Sequence, residues 1–134
     1  FSTLWKMNLK IPRYLPLFWQ YPCGQVLSWR FSLGGKTIHF FGSAGSSEDE
    51  LARLGNTPID VLLVPLQGHT DICNIAARYV KTLCPKWVIP HHQDDFYPPI
   101  SQQVDIAPFV EQVKAESFNT RVKILKLNEP FLIE

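Results

Sequence analysis

Apolar and polar positions change their spacing several times along this chain, and each change marks an element. From Gln25, Val26, Trp29 and Phe31 recur at strand-like intervals up to Gly34-Gly35. A second run, residues 36 to 41, places Thr37, Ile38, Phe40 and Phe41 in pleat-favouring company. Two such runs joined by Gly-Gly predict a β-hairpin. Ser47 with Glu50 three residues on is a capping-box pattern, and Glu48 and Asp49 suit the positive end of a helix dipole. Leu51 and Leu54 give that helix its apolar face, and Gly55-Asn56 with Pro58 stops it. Residues 60 to 65 form a short apolar run that suits a strand covered on both faces.

Residues 70 to 83 return to helical spacing, with Ile72, Ile75, Ala76, Tyr79, Val80 and Leu83 at steps of three and four. Pro85 ends this helix, and residues 87 to 90 read as another buried strand. A helix over residues 108 to 118 and a last strand over residues 122 to 127 complete the pattern. Strands alternating with helices predict an α/β sheet with short crossovers. Residues 1 to 24 differ: Pro12, Pro16 and Pro22 forbid a long helix, while Trp5, Tyr14, Phe18, Trp19 and Tyr21 demand burial. They read as an irregular arm over a core or a partner surface, and residues 25 to 134 as one α/β layer, together a single domain or half-domain.

Composition narrows the classes of function. A hydrophobic fraction of 46% and a charged fraction of 19% describe a globular chain. The formal charge of +1 and the lack of a Lys/Arg stripe speak against nucleic acid as the partner. No apolar stretch approaches the roughly 20 residues that span a bilayer. Cys23, Cys73 and Cys84 are an odd number without a C-x-x-C pair, which suits small buried hydrophobes in a reducing compartment, here the cytoplasm. The chain begins at Phe1 rather than Met, so a processed, truncated or partial polypeptide is expected.

Polar groups collect at the carboxyl ends of two expected strands, the edge where open α/β sheets bind ligands. One cluster is Gly42-Ser43-Ala44-Gly45; the other is His91, His92, Gln93, Asp94 and Asp95. A neutral imidazole with a neighbouring carboxylate suits zinc or another transition metal. A polar surface loop with an aspartate capping a turn is the plainer alternative. Adjacent histidines on an extended strand point in opposite directions, so one at most should face a site. The glycine turn lacks the lysine of a phosphate loop and the dinucleotide fingerprint, and Gly-Ser-Ala-Gly is not a G-x-S-x-G elbow. His39, mid-strand, and His69, in a loop, read as structural.

In order and spacing, residues 34 to 43, 60 to 65 and 88 to 96 resemble the later half of the metallo-β-lactamase fold. The likeness points to the subgroup of ascorbate-6-phosphate lactonases and N-acyl-phosphatidylethanolamine phospholipases. It implies a fold corresponding to the C-terminal βα half of an αββα sandwich, with a divalent metal, zinc before manganese or iron, as cofactor. By position His92 matches the family's last metal-ligating histidine, with His91 the second choice. Ser43, beside Gly42 at the rim of the site, stands where the family carries a bridging aspartate. Asp94 or Asp95 is then expected to replace part of that charge, as a ligand or by orienting His92. The family's His-x-His-x-Asp-His motif is absent, and histidines 39, 69, 91 and 92 cannot form it.

Two functions follow. As an enzyme the chain is the C-terminal part of a metal-dependent hydrolase of a small-molecule ester, lactone or phosphodiester, inactive without an N-terminal half supplied by the parent polypeptide or a second chain. As a non-catalytic half-domain, its apolar face drives self-association into a homo-oligomer or binds a partner. A flavodoxin-like binding domain is disfavoured, because the Gly42 turn is no phosphate cradle.

Overall fold

In the computed structural model, residues 27–95, 98–99, 101–117 and 119–133 are described. The expected arm of residues 1 to 24, Cys23 and the start of the first strand lie outside them. Eight elements follow in order: β1 (Ser28–Leu33), β2 (Lys36–Phe41), α1 (Glu48–Gly55), β3 (Val61–Pro65), α2 (Ile72–Leu83), β4 (Trp87–His91), α3 (Ala107–Glu116) and β5 (Arg121–Val122). The strands form one sheet in the order β1-β2-β3-β4-β5. Only the β1–β2 hairpin is antiparallel; the other three pairings are parallel.

Local chemistry accounts for these elements. Gly34 and Gly35 take φ of 56° and 77°, and a two-residue hairpin turn with both central residues at positive φ matches the twist of its strands. The Ser47 side chain accepts from the Glu50 amide at 3.2 Å, capping α1 as the sequence pattern predicts. Helix α2 ends at Cys84 in the left-handed region, its amide donating to the Val80 carbonyl at 2.8 Å. Cys84 is exposed and Cys73 half-buried, so neither is the fully buried hydrophobe expected. The cap position lies beyond the buried face of the helix, and there the thiol meets solvent.

Helices cover one face of the sheet. Phe41, Leu62, Val64 and Val88 share a single core with Leu51 of α1, Ala76, Tyr79 and Val80 of α2, and Phe109 and Val113 of α3. Side chains alternate across a strand, so the odd-numbered residues of β1, β3 and β4 face the other way. On that second face the hairpin leaves Trp29, Phe31 and Leu33 exposed at 60%, 45% and 68%. Phe131 meets Trp87 edge-on there at 4.9 Å, and the Arg121 guanidinium lies 5.3 Å over the same indole.

The last strand is shorter than its sequence suggests: it spans two residues rather than residues 122 to 127. Pro90 explains the difference. Trp87 N–H donates to Asp60 in the β3 direction, so even-numbered amides of β4 serve β5, and Pro90 has none to offer. After Lys123 N–H donates to Val88, the next bond of the ladder would need a Pro90 amide hydrogen, and the pairing ends there. Helix α2 also begins later than expected, at Ile72, because residues 70 and 71 belong to the preceding turn.

One part-buried carboxylate ties the base of the sheet. The Asp60 carboxylate accepts from Thr37 N–H at 2.8 Å and from Lys86 Nζ at 2.7 Å, and these bonds hold its pKa below the usual carboxylate value. His39 is different. It is 1% exposed, neither ring nitrogen has a hydrogen-bond partner, and it packs edge-on against Phe41 at 4.6 Å. Burial pushes its pKa down, the Arg30 guanidinium on β1 pushes the same way, and Glu50 on α1 opposes them.

The sign follows directly. The unfolded chain takes up a proton near the ordinary histidine value of 6.5 and the folded one does not, so His39 lowers stability as pH falls below that value. Replacing His39 with Leu removes two unsatisfied polar atoms and keeps an apolar side chain. We expect His39→Leu to raise the unfolding free energy by about 1 kcal/mol at pH 8, and by more at pH 5.5. Urea melts at both pH values measure this. A variant less stable than the parent at pH 5.5 would show that the ring has a partner in solution.

Candidate functional site

Four segments meet at the carboxyl ends of the parallel strands: the turn after β2, the loop after β3, the loop after β4 and residues 101–105. The β2 turn carries Gly42 and Ser43, the first exposed and the second half-buried. Its far end is held from the helix side, where Ser46 N–H donates to the Tyr79 hydroxyl at 2.8 Å. Tyr79 is itself fully buried and packs against Phe41 at 5.1 Å, so the turn is anchored in the core on that side.

The two histidines sit in different backbone conformations. His91 is the last residue of β4, its ring stacked on Phe40 at 5.1 Å with planes 19° apart. Its Nε2 lies 3.1 Å from the Phe41 carbonyl oxygen. A carbonyl only accepts, so Nε2 carries the hydrogen and Nδ1 keeps the lone pair when the ring is neutral. Burial lowers the His91 pKa, the bond to Phe41 works the other way, and His92 adds to the lowering.

His92 leaves the strand. Its φ of 60° places it in the left-handed region, uncommon for a residue with a side chain though less so for histidine. Its ring is partly exposed, with Nδ1 3.9 Å from Asp94 Oδ1. That separation is an ion-pair distance, beyond a hydrogen bond. Asp95 turns elsewhere, accepting from the Ser101 hydroxyl at 2.6 Å. Of the two aspartates named from the sequence, Asp94 is therefore the one beside an imidazole, and Asp95 staples its own loop.

Other residues at this rim went unremarked in the sequence. Gln67 Nε2 donates to the carbonyls of Asp94 at 3.3 Å and Gln102 at 3.1 Å, tying the β3 loop to the β4 loop. Val104 N–H reaches the Gln93 carbonyl at 2.9 Å and closes the same excursion. His69, set aside as structural, is half-buried on the β3 loop and accepts the Asp71 amide on Nδ1 at 2.9 Å, which fixes its neutral tautomer with hydrogen on Nε2. Glutamine in a loop gives no sequence signal for such a tie, since its partners are carbonyls brought near by the fold.

Among the described residues, no group of three or more His, Cys, Asp or Glu is placed to hold a metal ion. The residues shown here supply one imidazole with one carboxylate beside it, which does not fit a complete zinc or two-metal centre.

The sheet thus carries helices on one face and gathers His, Asp and Ser at the carboxyl ends of its strands. Residues 15–92 match the family model described as the beta-lactamase superfamily domain, and the chain belongs to that superfamily. A UPF0173 metal-dependent hydrolase from Carboxydothermus hydrogenoformans is 32% identical over 109 residues, covering 81% of this chain and 44% of the relative. Another from Pyrococcus abyssi is 37% identical over 84 residues, covering 61% of this chain and 37% of that protein. The chain thus spans less than half the length of the curated relatives it matches. A crystal structure from Thermotoga maritima, assigned to the Zn-dependent hydrolases of the metallo-beta-lactamase superfamily, superposes with a TM-score of 0.55 at 18% identity. It covers 72% of this chain and 58% of the other, and agrees with the fold. Among the described residues no helix is long and apolar enough to cross a membrane.

The Gln67 tie generates a local expectation. Its loss should loosen the loop and leave the core intact, because both acceptors are exposed rim carbonyls. Hydrogen exchange at residues 93 to 95 and 102 to 104 should quicken about five-fold in Gln67→Ala, with β3 amides unchanged. Equal acceleration in β3 would show that Gln67 supports the whole sheet.

Proposed function

We propose that this chain is the C-terminal part of a metal-dependent hydrolase, with His92 one donor to a divalent cation whose other donors come from outside it. The observation that carries the reading is His92 itself, which departs from β4 into a left-handed conformation and stands with Nδ1 3.9 Å from Asp94 Oδ1. Backbone strain of this kind persists where surrounding structure enforces it, and it gathers at functional sites. The names of the relatives support a metal, and zinc is our first choice over manganese or iron. In this reading Asp94 orients His92 or joins it as a ligand, Asp95 shapes the loop, and Gly42 and Ser43 border the site. The substrate is a small ester, lactone or phosphodiester, and the unpaired thiols of Cys73 and Cys84 suit a reducing cytoplasm.

The partner in this proposal is the N-terminal half of the parent fold, or a second chain that provides it, and it covers the face bearing Trp29, Phe31 and Leu33. A second reading draws on that face alone. Three large side chains in a row, 60%, 45% and 68% exposed, would make the chain a half-domain that self-associates without catalysis.

Metal uptake separates the two. The portion of the Carboxydothermus relative that this chain does not cover, added in trans, should restore zinc binding and hydrolysis of a chromogenic ester or phosphodiester. His92→Gly should abolish the metal in that mixture. The same change should leave the chain itself as stable as before, or more stable by about 1 kcal/mol, since glycine relieves the left-handed strain. Full metal occupancy with His92→Gly would remove the residue from the centre. A homo-oligomer that rejects the added half would favour the second reading.

A further inference from the structure

The bond between His91 and Phe41 crosses an intervening strand, and a proline explains why. In the sheet β3 lies between β2 and β4, with Pro65 in register with His91. Leu66 N–H donates to the His91 carbonyl, so even-numbered amides after the start of β3 serve β4 and odd-numbered ones face β2. Residues 38 to 40 of β2 pair with 61 to 63 of β3, and the next odd amide, opposite the Phe41 carbonyl, belongs to residue 65. That residue is proline and has no hydrogen to give. The Phe41 carbonyl therefore loses its ladder donor one residue before Gly42-Ser43. His91 Nε2, reaching over Pro65 with its ring stacked on Phe40, stands 3.1 Å from that oxygen.

We propose that His91 is a positioning residue: its Nε2–H replaces the backbone donor that Pro65 lacks, and so pins the Gly42-Ser43 turn against the loop that begins at His92. The proposal rests on reading that loop as part of a site, yet its geometry stands within this chain. It separates the two histidines by task. His91 ties the border of the site to the end of β4, and His92 carries the metal role proposed above. The turn is then clamped at both ends, by His91 on one face of the sheet and by the Tyr79 hydroxyl on Ser46 N–H on the other.

Proline and histidine are compensating partners in this arrangement, which gives a test that a merely structural role would not pass. His91→Phe keeps the aromatic stack and removes the donor; Pro65→Ala restores a backbone donor at the vacant ladder position. In the 134-residue chain, His91→Phe should speed amide exchange at Gly42 and Ser43 about five-fold relative to β3, and shift the Phe41 carbonyl carbon signal. Adding Pro65→Ala to His91→Phe should reverse both effects. Should His91→Phe not fold, His91→Gln, which keeps a side-chain donor, and the double variant decide the question: both must fold with a protected turn.

Unchanged exchange at Gly42 and Ser43 in His91→Phe overturns the clamp, and so does failure of Pro65→Ala to rescue. Loss of zinc from the complemented protein in His91→Phe, with the turn still protected, would overturn it as well by making His91 a ligand. The clamp and the metal proposal fail separately, because exchange is read in the chain alone and metal uptake depends on His92.

Discussion

A parallel sheet must bury both of its faces, and this chain carries helices for one of them. Leu62, Val64, Val88 and Phe41 are enclosed by α1, α2 and α3 in a continuous core. The alternate residues point away from that core, and along the hairpin they end in exposed Trp29, Phe31 and Leu33. In the proposed assembly a second layer finishes the burial and brings further donors to the rim. The relatives, more than twice as long as the segments they share with this chain, leave room for such a layer.

Proline does unusual service in the two central strands. Each one removes a ladder donor on a definite side: Pro90 toward β5, Pro65 toward β2. The first shortens the last strand to two residues. The second exposes a carbonyl beside the Gly42-Ser43 turn, and a histidine side chain takes the place of the lost amide. Both vacancies lie near the carboxyl ends of the strands, where backbone bonding gives way to side chains from neighbouring loops, among them Gln67, Ser101 and His91. The rim is thus organised by side chains around a backbone that prolines have partly released.

Much of the fold was legible from local chemistry. The Gly34-Gly35 hairpin, the Ser47 cap, the apolar run into Pro65 and the amphipathic α2 all express preferences that act within a few residues. The elements that departed from expectation did so for non-local reasons. Residues 122 to 127 have the composition of a strand, but pairing depends on whether the neighbour can donate, and Pro90 cannot. His39 looked ordinary and lies wholly in the core, because the β2–β3 register turns it toward the helices. Within the candidate site, the cluster at residues 91 to 95 and the Gly42-Ser43 turn could be named from sequence, but the alternation expected of two histidines on one strand does not apply, because His92 leaves β4 in a left-handed conformation. Which ring takes which direction could not be read in the same way.

By itself, the sequence determined the order and kind of the elements, the superfamily and the identity of the polar residues that gather at one edge, since propensity, capping and hydrophobic period operate over short spans. Tertiary structure alone decided the division of labour among those residues. That His91 reaches a carbonyl two strands away, that Asp94 rather than Asp95 stands by His92, and that the hairpin leaves Trp29, Phe31 and Leu33 exposed are consequences of register and packing. Such facts depend on which distant groups come within 3 to 4 Å of each other, a distance no local pattern encodes.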